Sequence, residues 1–430
     1  MTSTLLKSSV LNHPTICKLD NGLTIIAEQM PVDAVNFNVW LNVGSAKESD
    51  RINGMAHFLE HMIFKGTPRL ALGEFERSVE ERGAITNAAT SQDYTHYFIT
   101  TAPQDFAILA PLQLDVVLNP LIDDNAFDRE RYVVLEEIRR SDDNPSRRTF
   151  SRAMEVCFDE LPYRRPVLGP SSVIEGLQPQ QMRDFRNYWY QPDRIHAVAV
   201  GNLPVEELIE IVATSFSNTY TPRTVPDYPE IPPNSIPEAN FQTIVRREYI
   251  DDKMQQARLV MMWKVPGIAE LEQTYALDVL AVILGQGKVS RLFRELREER
   301  GLVNQIGASN MTQESQGVFY ISAQLPSENI DLVEAAIVAQ IERLQREPIN
   351  LEDINRIRTQ VANRFIFGNE RPSDRANLYG YYSSHLGTLE PALNYPSYIQ
   401  ALSVEELQQA ARKYLPVDAY ASIVLRPDRG

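Results

Sequence analysis

Two histidines and a glutamate fall within five consecutive residues, His57-Phe58-Leu59-Glu60-His61, in a chain that has six histidines in all. On a helix, His57 and His61 stand one turn apart on a single face. Two imidazoles so placed can reach one zinc ion. Glu60, three residues after His57, shares that face and can accept a proton from a water held beside the metal. The plain alternative is a helix with two solvent-facing histidines and a surface glutamate. A chance pair at this spacing is rare where histidine is so scarce.

A zinc ion that does chemistry usually has three protein ligands and one open position. The third ligand has to come from elsewhere, and a helical stretch over 125–140 offers Glu130, Glu136 and Glu137. Glu130 and Glu137 are seven residues apart and share a helix face, while Glu136 points roughly a quarter-turn away. Spacing does not choose among them, and it equally allows three solvated surface carboxylates.

The elements that must carry these groups follow from periodicity. The alternating stretch Val35 to Val43 predicts a strand, followed by the helix with the histidine pair and a second helix near 71–82. A strand over 95–100, a helix from Gln104 to about Asn119 and the 125–140 helix come next. A strand over 195–200 precedes a helix opened by Pro204. Between 221 and 240 stand six prolines, Pro222, Pro226, Pro229, Pro232, Pro233 and Pro237, which predict an extended linker. The plan then repeats: a strand over 257–263, a helix over 275–284, a strand over 319–323 and a long helix over 350–367. A period of about 220 residues is too long for a solenoid. It predicts a duplicated α+β domain, each copy a mainly antiparallel sheet with helices packed on one side. The expected boundaries are 1–220 for the domain with the histidine pair, 221–240 for the linker and 241–430 for its homologue.

Comparing the two copies sharpens the functional reading. Matching Gly66 to Gly285 sets His57, Glu60 and His61 opposite Ala276, Val279 and Leu280. Matching Phe127 to Leu351 sets Glu130 and Glu137 opposite Ile354 and Val361. The second copy is apolar at all five positions. The helices therefore do not need these polar groups in order to form, which points to a chemical reason for keeping them.

Composition narrows the classes. The hydrophobic fraction is 43% and the net charge −15, an ordinary globular balance that argues against nucleic acid as a partner. The two cysteines, Cys17 and Cys157, match neither a metal pattern nor a disulfide framework. There is no apolar run long enough for a signal peptide or a membrane span, and a cytoplasmic protein is expected.

The stretch His57 to Thr67 (HFLEHMIFKGT), the stretch Gly83 to Ala88 (GAITNA) and the Glu136-Glu137 pair together resemble the pitrilysin family of zinc peptidases. The closest likeness is to the mitochondrial-processing-peptidase type, its β subunit and its bacterial relatives, over essentially the whole chain. The resemblance implies a metalloendopeptidase with one zinc ion held by His57, His61 and Glu137, the last standing 76 residues beyond the second histidine (137 − 61). It implies that Glu60 is the general base and that Glu130 orients a ligand behind the metal. Asn87 and Ala88 match an edge strand that pairs with the substrate backbone, and Phe64 matches a residue lining the pocket beside the scissile bond. In the family's second half an arginine and, seven residues later, a tyrosine hold the substrate. Here Arg297 matches the arginine, but Asn304 stands where the tyrosine is expected. Asparagine has a much shorter reach than a phenol. In two-chain members this pair comes from the partner, so the departure favours a heterodimer with a homologous chain over a homodimer. Two other roles stand beside the general peptidase: a non-catalytic structural subunit, and a maturase acting on one precursor.

Overall fold

The protein is described here by a computed structural model covering residues 13–223, 225, 228 and 236–428. Within the proline-rich stretch expected to be a linker, residues 224, 226–227 and 229–235 lie outside the described residues.

Eleven strands form two sheets among the described residues. The first sheet holds β1 (Thr15–Lys18), β2 (Thr24–Gln29), β3 (Val35–Leu41), β4 (Ile85–Thr90), β5 (Thr95–Thr101) and β6 (Ile195–Gly201), in the order β1-β2-β6-β3-β5-β4. The second holds β7 (Val245–Asp251), β8 (Ala257–Pro266), β9 (Gln305–Met311), β10 (Gln316–Leu325) and β11 (Ala421–Pro427), in the order β7-β11-β8-β10-β9. Apart from β1, the orders match strand for strand. Each sheet has one parallel pair, β2 with β6 and β7 with β11, and is otherwise antiparallel. The duplication expected from the sequence is therefore present in the sheet topology itself.

The helices are α1 (Met55–Ile63), α2 (Glu74–Glu80), α3 (Phe106–Leu118), α4 (Asp124–Asp143), α5 (Pro145–Cys157), α6 (Ser171–Gly176), α7 (Pro179–Trp189) and α8 (Val205–Thr219). They continue with α9 (Tyr275–Gly285), α10 (Ile330–Arg346), α11 (Leu351–Phe367), α12 (Pro372–Leu386), α13 (Glu390–Ala401) and α14 (Val404–Tyr414). None is long and apolar enough to cross a membrane, among the described residues.

The chain divides into two compact units whose boundaries differ from the sequence halves. One unit comprises 1–138, 166–233 and 366–394; the other comprises 139–165, 234–365 and 395–430. The segment carrying α5 thus belongs with the second sheet, and the segment carrying α12 with the first. The expectation of helices on one side of each sheet needs the same amendment. In the first unit α12 packs on β3 and β6, where Ala376 and Tyr379 meet Trp40, Val198 and Val200. Alternate residues of the same strands, Phe37, Val39, Ala197 and Ala199, face the main core with α1, α3 and α8. In the second unit α5 takes the corresponding place on β8 and β11.

The alternation Val-Asn-Phe-Asn-Val in β3 looks like a strand with one wet face, yet every residue of β3 is buried. The asparagine side chains are covered, and each amide nitrogen finds an acceptor. Asn38 Nδ2 donates to Asn377 Oδ1 of α12 (2.6 Å), and Asn36 Nδ2 donates to Thr100 Oγ1 (2.9 Å). Buried Glu28 accepts from Tyr379 Oη (2.7 Å) and from Arg375 Nη1 (2.5 Å), which pins α12 to β2.

The start of α1 decides where the histidines go. Gly54, the residue before the helix, is left-handed (φ 99°), and a Cβ there would come within 2.5 Å of the Leu168 carbonyl oxygen. Only glycine fits without strain. The fully buried Glu48 carboxylate accepts from the Gly54 and Ala56 N–H groups (2.7 Å each) and from Asn53 Nδ2 (3.0 Å). It satisfies N–H groups that a helix start leaves free and places negative charge at the positive end of the helix dipole. Glu48→Ala should destabilise the first unit by about 2–4 kcal/mol, because buried charge-assisted hydrogen bonds are lost and their donors orphaned. Hydrogen exchange at α1 amides should speed up accordingly, with Glu48→Gln falling between. Unchanged protection in Glu48→Ala would mean that α1 is fixed by packing alone.

Candidate metal centre

The sequence His57 to His61 lies on α1 as expected, and Glu130 and Glu137 both lie on α4. The two helices meet through buried rings: Phe58 stacks on Phe127 with centroids 4.4 Å apart. That stack sits beside His57 on one helix and one turn before Glu130 on the other.

Three donor atoms converge there. Glu137 Oε2 lies 3.5 Å from His57 Nε2 and 3.3 Å from His61 Nε2. All three donors fall within 4.8 Å of one another, and no other such group of His, Cys, Asp or Glu occurs among the described residues. These separations are long for hydrogen bonds. They match atoms arranged around an ion, since ligands at about 2.0–2.1 Å from a tetrahedral zinc stand about 3.3 Å apart. A donor set of two imidazole nitrogens and one carboxylate oxygen suits zinc. Glu136, the neighbouring candidate, is not among the converging donors.

The surroundings bias each donor. Burial, then the charge of His61, lowers the His57 pKa to about 3, so its imidazole is neutral near pH 7. Burial also disfavours charge on His61, but its hydrogen bond to Glu130 and the charges of Glu130, Glu137 and Glu60 outweigh that, and its pKa is raised. Glu130 Oε1 lies 3.0 Å from His61 Nδ1, and Glu130 Oε2 accepts from Lys65 Nζ at 2.7 Å. With Nδ1–H turned toward Glu130, His61 presents its Nε2 lone pair toward Glu137 and His57. Burial works against the Glu130 anion, yet His61 and Lys65 prevail and hold its pKa below the usual carboxylate value. Nothing in the sequence pattern singled out Lys65 or Glu48; their partners are identifiable only once the chain is folded.

Glu60 is half-buried, and burial first of all raises its pKa against the hydrogen bond from Thr90. Thr90 Oγ1 donates to Glu60 Oε2 at 2.5 Å. Thr90 ends β4, the edge strand of the first sheet, which among the described residues pairs only with β5. Asn87 and Ala88 lie in the middle of that strand. The Ala88 N–H donates to the side-chain oxygen of Asn87 (2.9 Å). Phe64 directly follows α1, half-buried, with its ring 6.1 Å from Phe75 and 6.3 Å from Tyr97.

Arg297 belongs to the second unit, on a π-helical turn over Phe293–Glu299. Its guanidinium lies over the Phe293 ring at 4.8 Å, and it helps line a cavity of about 600 Å³ with Arg258 and Tyr320. Asn304 is exposed, with its N–H bonded to the Gln324 carbonyl (2.8 Å). In the second unit the counterparts of the polar set, Ala276, Val279, Leu280, Ile354 and Val361, are all buried within the apolar core. Two further histidines, His96 and His196, lie beneath α12: His96 Nδ1 meets Asn38 Oδ1 (3.1 Å) and His196 Nδ1 meets Ser383 Oγ (2.7 Å).

Comparison with known proteins finds relatives over both halves of the chain. The family model described as Insulinase (Peptidase family M16) matches residues 23–171, and that described as Peptidase M16 inactive domain matches residues 176–361. An uncharacterized zinc protease of Rickettsia felis is 26% identical over 402 residues, covering 93% of this chain and 94% of that protein. The zinc protease PqqE of Helicobacter pylori is 27% identical over 413 residues, covering 95% and 92%. A crystal structure of a protease from Helicobacter pylori superposes with a TM-score of 0.88 at 26% identity, covering 96% of this chain and 99% of the other. A Pseudomonas fluorescens structure described as a peptidase M16 inactive domain, 18% identical, shares the fold with a TM-score of 0.84 over 97% and 98% of the two chains. From these matches across both halves, the chain belongs to peptidase family M16.

Proposed function

We propose that this chain is a zinc-dependent endopeptidase acting on extended peptides, and that it is the metal-bearing member of a pair with a homologous chain. The observation that carries the reading is the meeting of His57, His61 and Glu137 at one point, in a unit whose duplicate fills the same positions with apolar core. Zinc bound there would polarise a peptide carbonyl and make a water more acidic.

The chain's own groups account for the rest. Glu60 keeps one oxygen on Thr90, which leaves the other for the attacking water. It accepts the water's proton and can return it to the leaving amine. Burial raises its pKa, which makes it a stronger base toward that water. Glu130, braced by Lys65, holds the ring of His61 in place. The open edge of β4 offers backbone groups to an extended peptide, a mode of binding that tolerates many sequences. Phe64 would line the pocket for the side chain next to the scissile bond. We take the cytoplasm as the compartment, in keeping with the two free cysteines, of which Cys157 is buried.

Glu60→Gln should keep zinc and lose peptidase activity, since the amide matches the carboxylate in size but cannot accept the proton. His57→Ala, His61→Ala and Glu137→Ala should lose zinc while staying folded. Metal content and hydrolysis of an unstructured peptide, measured on all four variants, check this; near-normal turnover by Glu60→Gln would remove the mechanism.

Glu130→Ala should lower zinc affinity or turnover by about tenfold to a hundredfold without abolishing either. Glu136→Ala should change both far less. Loss of metal in Glu136→Ala but not in Glu137→Ala would place the carboxylate ligand one residue earlier.

The pairing rests on Asn304, which stands seven residues after Arg297 where a phenol would hold the substrate. The isolated chain should be a slow peptidase, as misplacing a reacting group by about 1 Å can cost a hundredfold. A homologous chain with both arginine and tyrosine should raise the rate, and Asn304→Tyr should do so in a symmetric dimer. Full-speed cleavage by the isolated homodimer, unchanged in Asn304→Tyr, would exclude the two-chain arrangement.

A further inference from the structure

The edge strand and the general base are joined by one hydroxyl. Thr90 is the last residue of β4, paired across from Thr95 of β5. Its Oγ1 gives its only proton to Glu60 Oε2 at 2.5 Å. The neighbouring hydroxyl does not compete. Thr95 Oγ1 donates to the Val43 carbonyl at 2.8 Å, so its 3.5 Å approach to Thr90 Oγ1 is the weaker contact.

Thr90 is itself held on both sides. Beyond it the chain turns back, with Ser91 N–H donating to the Tyr94 carbonyl (2.8 Å). That turn is tied to the segment before α1: Ser45 N–H donates to the Ser91 carbonyl (3.2 Å) and Ala46 N–H to the Gln92 carbonyl (2.7 Å). The approach is so close that a Cβ on Gly44 would lie 2.3 Å from the Ser91 oxygen. The β-branched side chain adds stiffness, because threonine has few χ1 choices on a strand. Glu60, by contrast, reaches its carboxylate through several rotatable bonds, each with more than one staggered rotamer. A fixed donor is needed to hold such a carboxylate in one orientation.

We propose that Thr90 is a positioning residue for the peptidase reaction: it holds one oxygen of Glu60 and so aims the other at the water. This rests on the reading of Glu60 as general base. Because Asn87 and Ala88 lie on the same strand, a peptide paired along β4 bears directly on the segment that aims the base. The role belongs to the hydroxyl and not to the methyl, and it acts on the chemical step and not on metal or peptide binding.

The test compares Thr90→Val, Thr90→Ser and Glu60→Gln, each with zinc content, kcat and KM on one unstructured peptide. Thr90→Val keeps the shape and removes the donor. Its kcat should fall about tenfold to a hundredfold, with zinc content and KM within about twofold of the parent. Thr90→Ser should recover most of the lost kcat. Thr90→Val with unchanged kcat, while Glu60→Gln is inactive, would overturn the positioning role and leave the general base intact. Thr90→Ser as slow as Thr90→Val would also overturn it, by assigning the effect to packing of the methyl. Loss of zinc in Thr90→Val would do the same, by making the residue part of the scaffold of α1. Full activity in Glu60→Gln would instead remove the functional reading on which the proposal rests.

Discussion

The stacking of Phe58 on Phe127 is the contact on which the site depends, because it fixes how α1 meets α4. Each helix alone contributes only part of the donor set. Brought together with the rings 4.4 Å apart, they set two imidazole nitrogens against one carboxylate oxygen, and a second carboxylate behind one of the rings. Buried aromatic stacking is well suited to this task, since it brings large apolar area and a preferred geometry without adding competing polar groups. The Glu48 carboxylate sets the start of α1, and so the level at which its histidines emerge.

The duplicated unit shows what the same architecture does without a metal site. Its α9 and α11 bury Ala276, Leu280, Ile354 and Val361 where the first unit has His57, His61, Glu130 and Glu137. Burial of apolar side chains at these positions is favourable, whereas burial of imidazoles and carboxylates is not unless they are mutually satisfied or bound to an ion. The first unit therefore gives up stability at buried His57 and Glu130, and less at the partly exposed His61 and Glu137. The convergence of the His57, His61 and Glu137 donor atoms, and the hydrogen bond of Glu130 to His61, are the compensating features. The family description of the second half as an inactive domain agrees with its apolar interior.

Much of this was legible in the sequence, and for identifiable reasons. The i, i+4 histidine pair and the seven-residue spacing of Glu130 and Glu137 are helix-surface patterns, and the helices formed where periodicity put them. The duplication was visible because both copies keep one order of strands and helices. What sequence did not give were the long-range partners. The asparagine face of β3 has the alternation of a wet strand, but α12 covers it, and Asn377, more than 300 residues away, accepts a hydrogen bond from Asn38. For the same reason the compact units are not the sequence halves: α5 and α12 each pack on the second face of a sheet built by other parts of the chain. Glu48 and Thr90 lie in no motif, Lys65 lies in one that gives it no role, and each takes its meaning from partners that folding brings to it.

Zinc K-edge X-ray absorption on the purified protein, with metal quantified on the same sample, tests the central claim most directly. One zinc per chain with a coordination shell of two imidazole nitrogens and oxygen, and no sulfur, is the predicted result. A protein that takes up no zinc, or a shell containing sulfur from Cys17 or Cys157, would contradict the assignment of His57, His61 and Glu137 as a metal centre.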